Sequence, residues 1–506
     1  MNTYTKAARG VFYHLLTYAL SIPLAYVVRI LYAHHLPKVE VGLFYALWDL
    51  FLLVALFRSL GVDQALVHYI PRFTARKEER HLPSLVLAAL IIQLCATLTI
   101  AFILILLSPQ IIHYFLNARG ELTSYGQTAQ RALILFALGY FTFSSFSDLL
   151  VAFFQARHRQ GVVSLYRLLR TLLVLIFSVL LLKFLDNVYL PCLAYSLSAL
   201  ILVGVYGFWA YHEVKTRLPS SWIIPDSKKF YRHAKLILPY GLFIMASGAG
   251  HFILTYTDGL CLTYFGGLKA VAEYRNAATP TANILYYFGT SVSLVLFPIV
   301  SELKERKARD LLIQSLNKVF QYTLLLTLPV ATLLIFYSKG IVNLFFGKNY
   351  LGAVTPLRIL ALGMIFSLLN NIGFAVLKGL EAPQLVTKAI YVGAALNLGL
   401  NLFLVPKYGA AGAGLATSLS FFVMNLSVFR FIKTILKYNI VKKEWFKIVL
   451  ISLLSLGPVF IIKKWLGGTS YSTIIELISY ITIYILVSTR LGLATKEAIT
   501  IILAKK

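Results

Sequence analysis

The chain has 506 residues, 59% of them hydrophobic and 13% charged, with a mean hydropathy of +0.78. A soluble domain carries about 45–50% apolar and about 25% charged residues, so there is roughly half the charge needed to cover a water-facing surface, and a string of soluble domains is excluded. The net charge is +28, from 47 Lys plus Arg against 19 Asp plus Glu. Because the basic residues fall in short breaks between apolar runs, they point to the anionic cytoplasmic leaflet rather than to nucleic acid.

A membrane helix needs about 20 mainly apolar residues. On that measure the sequence predicts an all-α integral membrane protein with about fourteen spans. They cover residues 10–33, 41–61, 83–108, 128–154, 162–182, 189–210, 235–257, 271–298, 318–337, 355–377, 385–404, 411–432, 445–462 and 473–489. The first is expected to be a retained span rather than a signal peptide, since it is long, contains Arg29 and lacks a small-residue cleavage signal. With the N-terminus inside, the segments on the cytoplasmic side hold 31 Lys and Arg and the outer segments hold 9. This asymmetry predicts cytoplasmic N- and C-termini.

The domains predicted on this count are an N-terminal lobe over 1–210, a cytoplasmic linker over 211–234, a C-terminal lobe over 235–432, and two further spans with a short tail over 433–506. A low-level internal repeat supports the halves. Aligning Val41 with Val271 pairs Gly42 with Ala272 and Phe44 with Tyr274, and sets Arg29 one position from Asp258. Each copy is followed, after a proline, by a basic segment, IPRFTARKEERH or PIVSELKERKARD. Parallel repeats of this kind suit a transporter whose substrate lies between the halves.

Ionised groups within spans are costly unless they face water or a partner, so each is a functional candidate. In the first span His14, Tyr18, Ser21, Ala25 and Arg29 recur at helical spacing, a polar stripe with Arg29 outermost and His14 a candidate helix contact or proton carrier. Asp49 lies about 12 Å into the second span. There it should neutralise a base such as Arg29 or take part in ion coupling. Arg58, nearer the cytoplasmic end, reads as interfacial. Arg275 stands among Tyr274, Asn276, Pro280 and Asn283, and Pro280 should free a carbonyl about one turn earlier. Arg358 begins the tenth span, Arg131 begins the fourth, and Asp148 follows Ser144, Ser145 and Ser147. Asn397 and Asn401, four residues apart, share a helix face. Three isolated cysteines form no ligand set, and there is no GxxxxGK[ST], HExxH or CxxC. A built-in ATP motor and zinc hydrolysis are therefore not expected, and neither a metal site nor a catalytic residue is assigned.

The stretch NLGLNLFLVPKYGAAGAGLATSLS, from Asn397 to Ser420, resembles the signature of the polysaccharide flippase branch of the multidrug/oligosaccharidyl-lipid/polysaccharide exporter superfamily. VGLFYAL from Val41, the segment from Asp258 through Tyr264-Phe265-Gly266 to Tyr274, PIVSEL from Pro298 and FFGKNY from Phe345 are similar to the same family. The resemblance implies two six-helix lobes in a V around a central, commonly cationic cavity, plus two C-terminal helices. It implies translocation of an isoprenoid-diphosphate-linked oligosaccharide from the cytoplasmic to the outer leaflet of the cell membrane, without enzymatic chemistry. It brings Asp258 in as a family acidic residue, a loop cap or a substrate contact, with a counter-charge or ion-coupling role also open to it. No cofactor is expected, and the driving force would be a sodium or proton gradient or the membrane potential. The expected partners are the lipid-linked oligosaccharide, anionic lipids and glycan-assembly enzymes, not nucleic acid, and the expected working unit is a monomer. Two other readings are a drug or small-solute exporter of the same fold, and an integral-membrane glycan ligase or polymerase. The second would need a sizeable outer loop, and the longest here is about 109–127.

Overall fold

The structure, a computed structural model, describes residues 3–122, 126–217, 227–466 and 470–493. Residues 218–226 of the expected linker and the basic residues after 493 lie outside the described residues. Among those described, every regular element is a helix. Among the described residues thirteen helices are long and apolar enough to cross a membrane. With the shorter elements included, the helices in chain order begin with α1 (Thr3–His35), α2 (Lys38–Arg58), α3 (Val62–Ala75) and α4 (Leu82–Leu106), of which α3 is too short to span and occupies a stretch expected as a loop. Next come α5 (Gly126–Ala156), α6 (Gln160–Leu181), α7 (Tyr189–Arg217), α8 (Ser227–Cys261) and α9 (Leu268–Glu305). The remainder are α10 (Arg309–Phe336), the short α11 (Ser338–Phe346), α12 (Val354–Gly379), α13 (Pro383–Leu436), the pair α14 (Lys443–Leu454) and α15 (Gly457–Leu466), and α16 (Ser470–Arg490).

The 54-residue α13 is two helices joined at a break. Gly409 has φ 53° and ψ −130°, a conformation that a side chain resists. Just before it, Pro406 offers no backbone N–H. A Cβ at Gly412 would overlap the Leu404 carbonyl, so the two arms approach across the turn at a distance only glycine allows. The break falls between the expected spans 385–404 and 411–432.

The chain forms two compact units. The first comprises the chain up to Pro280, Asn343–Ala353 and Ala394–Ala416; the second comprises Thr281–Val342, Val354–Gly393 and the chain from Thr417 on. This is a division by packing, discontinuous in sequence, and its boundaries differ from those of the expected six-helix halves. Within the first unit, Val62, Leu66, Leu85, Phe153, Tyr206 and Ile237 form one buried cluster from α3, α4, α5, α7 and α8. Small residues let helices of the second unit meet closely: a Cβ at Gly363 would strike Ser418, and one at Gly289 would lie 2.9 Å from the Leu368 backbone. Asn425 Nδ2 donates to Asn370 Oδ1 at 3.1 Å there, so two buried amides satisfy each other.

Candidate functional site

The intramembrane charges of the first unit are brought together in three adjoining clusters. The first is built on the opening of α9, where residues Ala272–Ala278 form a π-helical stretch. In that geometry each carbonyl looks to the N–H five residues on. Pro280 has none to give. The carbonyl left over is that of Arg275, and Arg29 Nη1 donates to it at 2.5 Å. The free carbonyl expected from Pro280 therefore exists and has a named partner. Arg29 also donates to Tyr45 Oη at 3.1 Å, and its guanidinium lies 5.0 Å from the Tyr45 ring centroid. Tyr45 donates to Asn276 Oδ1 at 3.0 Å, and Asn276 Nδ2 donates back to the Arg29 carbonyl at 3.1 Å, closing a ring of bonds between α1, α2 and α9.

Arg275 itself points to Asp49. Its Nε donates to Asp49 Oδ2 at 2.6 Å and its Nη2 to the Thr255 carbonyl at 2.9 Å. Asp49 is 1% exposed. The sequence proposed Arg29 as its neighbour; the ion pair is with Arg275 instead, while Arg29 is engaged by Tyr45 and the π-stretch carbonyl. Gly259 forms the floor of this pair, and a Cβ there would overlap the carboxylate and crowd Arg275 Nε at 2.7 Å.

One residue before that glycine, Asp258 centres the second cluster. Tyr274 Oη donates to its Oδ2 at 2.7 Å, while Asn397 and Asn401 donate through Nδ2 to its Oδ1 at 3.2 and 2.8 Å. Asn401 Nδ2 also reaches the Asn397 carbonyl at 2.9 Å and Oδ1 at 3.1 Å. All four side chains are buried. Asp258 is thus a buried hub rather than a loop cap. Asn401 Oδ1 is buried with no hydrogen-bond partner, and such a group normally has one.

The third cluster corrects the interfacial reading of Arg58. It is buried and pairs with Asp148, and it also donates to the Phe141 carbonyl at 2.9 Å and Ser144 Oγ at 2.7 Å. All three partners are on α5, which turns the guanidinium inward instead of leaving it to snorkel. Ser145 is turned to α4, where Gln93 Nε2 donates to its carbonyl at 2.6 Å. Two cations that the sequence reading missed stand nearby. Arg167 and Arg170 are three apart on α6, with Arg167 3.8 Å from the Tyr18 ring centroid and Arg170 6.0 Å from that of Tyr166. Their signal was in plain view, since two arginines inside the apolar run 162–182 meet the same criterion as Arg29.

The remaining candidates stand apart. His14 Nε2 is 3.3 Å from Gln160 Oε1, a half-buried contact between α1 and α6. With Tyr18 beneath Arg167, this shows the polar stripe of α1 facing another helix along its inner half. Arg358, in the second unit, donates to Ser338 Oγ at 2.7 Å and the Ile335 carbonyl at 3.2 Å, where it caps the end of α10. Arg131 is exposed. Among the described residues no group of three His, Cys, Asp or Glu could hold a metal ion.

A family profile described as "Polysaccharide biosynthesis protein" matches residues 7–304, and one described as "Lipid II flippase MurJ" matches residues 268–483. An uncharacterized membrane protein of Methanocaldococcus jannaschii is 37% identical over 492 residues, 96% of each chain. The probable low-salt glycan biosynthesis flippase Agl15 of Haloferax volcanii is 27% identical over 46% of this chain and 47% of its own. Among solved structures, the lipid II flippase MurJ in an inward closed conformation superposes with a TM-score of 0.75, covering 94% of this chain and 98% of its own at 18% identity. An inward-facing multidrug-resistance MATE transporter superposes with a TM-score of 0.64 over 84% of this chain and 98% of its own, at 14% identity. At these identities the superpositions establish the fold alone. The matched profile over more than half the chain and the full-length relative establish the family: the chain belongs to the polysaccharide biosynthesis protein family, the flippase branch of the multidrug/oligosaccharidyl-lipid/polysaccharide exporter superfamily.

Proposed function

We propose that this chain carries an isoprenoid-diphosphate-linked oligosaccharide from the cytoplasmic to the outer leaflet, opening alternately to either side. The observation that carries the reading is a surplus of arginine over carboxylate among the intramembrane charges of the first unit. Arg275 and Arg58 are neutralised by Asp49 and Asp148 in direct ion pairs; Arg29 and Arg167 make no ion pair among the described residues, and Arg170 shares the field of Asp148 with Arg58 without contacting it. Unpaired cations within the membrane are expensive, and a diphosphate is a fitting counter-charge because the guanidinium fork donates two charge-assisted bonds and never loses its proton. Drug exporters share the fold, and the surplus positive charge speaks against a cationic cargo. Expression in a flippase-null strain, followed by analysis of the glycan accumulated on lipid, tests the proposal. Restored surface glycan and a falling lipid-linked pool support it, and an unchanged pool beside normal protein abundance refutes it.

The driving force in this reading is a cation gradient acting at Asp258. Asp258 is a buried carboxylate that accepts from Tyr274, Asn397 and Asn401, and a proton or monovalent cation arriving at its oxygens would compete with those bonds and so couple its occupancy to the packing around it. Asp258→Asn is expected to leave transport insensitive to an imposed sodium or proton gradient in proteoliposomes, at near-normal abundance. Full gradient dependence in that variant removes Asp258 from coupling.

The orientation follows from the basic loops. A single cysteine placed within 302–318 should be protected from an impermeant thiol reagent in intact cells, while Lys269→Cys should label. The reverse pattern inverts the whole topology.

A further inference from the structure

At the end of the first unit that carries the basic segments, two rings from α3 and the turn into α4 meet a third on the start of α8. Phe73 lies against His81 and His233, with ring centroids 5.6 and 6.0 Å away, and the two imidazoles lie 5.3 Å apart. Behind them His68 stacks on Tyr240 at 4.6 Å, which fixes α3 against α8. The rings floor an open cleft of about 440 Å³ lined by Phe73, His81, Arg232, His233, Lys235 and Leu236. Four of these six side chains carry or can carry positive charge, and none is a carboxylate. His233 is buried at the base while Arg232 and Lys235 are exposed at the mouth. The acidic residues nearest in sequence, Glu78 and Glu79, do not line it.

None of these residues belongs to the three intramembrane clusters, and nothing in the proposed transport cycle uses them. We infer that this cleft is a second anion site, one that binds a phosphate group, with Arg232 and Lys235 as its charged rim and the two imidazoles as donors at its base. Arginine supplies a bidentate fork and lysine a point charge, the usual combination for a phosphoryl oxygen cluster. Phe73 and Leu236 add an apolar wall on the same cleft, which suits a phosphate that carries a glycerol and acyl chains. The segments 70–81 and 228–235 lie next to spans and on the side predicted to face the anionic leaflet, where such headgroups are concentrated. A phospholipid headgroup and free inorganic phosphate present the same chemistry to these side chains. The site is independent of which glycan the chain transports.

The test uses the purified full chain in a phosphate-free maltoside detergent. Phosphatidylglycerol, a glucosyl diacylglycerol that lacks phosphate, and inorganic phosphate are each titrated, with retained lipid read by native mass spectrometry and the unfolding midpoint read in parallel. The wild type should retain phosphatidylglycerol over the glucosyl lipid, and Arg232→Ala/Lys235→Ala should lower that retention by about tenfold through loss of two charge-assisted contacts. Both replaced residues are exposed, so folding is not at risk; His81→Gln, which keeps a donor, should lower retention less. Lys433→Ala/Lys437→Ala, which removes the same charge elsewhere, should leave retention unchanged. Protection by inorganic phosphate that the Arg232/Lys235 variant abolishes, without lipid selectivity, assigns the site to a soluble phosphate and still supports it. Equal retention of both lipids together with no phosphate effect, or an equal loss in the Lys433/Lys437 control, overturns the inference.

Discussion

Asp49→Asn is expected to destabilise the protein by about 3–5 kcal/mol, the usual consequence of removing one side of a buried ion pair. The amide conserves shape but leaves the Arg275 guanidinium without its counter-charge at a site where Asp49 is 1% exposed. The 2.6 Å contact and the bond from Arg275 to the Thr255 carbonyl make Arg275 the group that suffers. Two further variants separate charge pairing from other roles. Gly259→Ala changes no charge, yet its Cβ would occupy the space of the carboxylate, so it should lower the unfolding midpoint in the same direction. Asp49→Asn/Arg275→Gln removes both charges and should be more stable than Asp49→Asn alone, because the unpaired cation is gone. If Asp49 served instead to bind a coupling ion, Asp49→Asn would melt normally and lose its response to a gradient. Measuring the midpoint and gradient-dependent transport on one preparation distinguishes the two, and a normal midpoint with lost gradient dependence would sink the pairing role.

The fold was legible because its controlling feature is one-dimensional. Apolar runs of membrane length announce spans, and Pro406 and Gly409 announce the break within α13 before any packing is known. The π-stretch before Pro280 was legible only in outline: proline indicates a freed carbonyl, but which carbonyl depends on the local hydrogen-bond register, and here the five-residue register selects that of Arg275. Pairings between distant spans were not legible at all. Asp49 has two arginines within reach of a plausible partner assignment, and choosing Arg275 over Arg29 needs the third dimension. Asp258 read as a loop residue because it sits at the end of an apolar run, whereas its partners Asn397 and Asn401 come from a segment some 140 residues later. Arg58 read as interfacial for the same reason, whereas its partners Phe141, Ser144 and Asp148 come from α5, 83 to 90 residues later. Arg167 and Arg170 are different. Nothing about them was hidden, and applying the rule for intramembrane charge uniformly along the chain finds both.

Arg29→Ala should lower glycan transport by at least about tenfold while leaving protein abundance near normal, because charge-assisted bonds to phosphate are each worth about 1.5–3 kcal/mol. Arg29 is half-buried, and its loss strips a donor from the Arg275 carbonyl without stranding a carboxylate. Water can satisfy a carbonyl in a polar interior, so the structural cost is a modest one. Arg275→Ala poses the opposite case. It leaves Asp49 buried and unpaired, so abundance and transport should fall together. The contrast between the two arginines is therefore the informative quantity, since they touch through a single hydrogen bond and differ in whether a carboxylate depends on them. Arg29→Lys should recover part of the transport lost in Arg29→Ala, as charge returns without the bidentate fork, and Arg170→Ala, which leaves Asp148 still paired with Arg58, should follow Arg29→Ala rather than Arg275→Ala. Transport assayed against abundance for all four variants decides the matter. Wild-type transport in Arg29→Ala at normal abundance would remove Arg29 from the cargo path, and a collapse of abundance in Arg29→Ala equal to that in Arg275→Ala would show that its bonds to Arg275 and Tyr45 serve the fold alone.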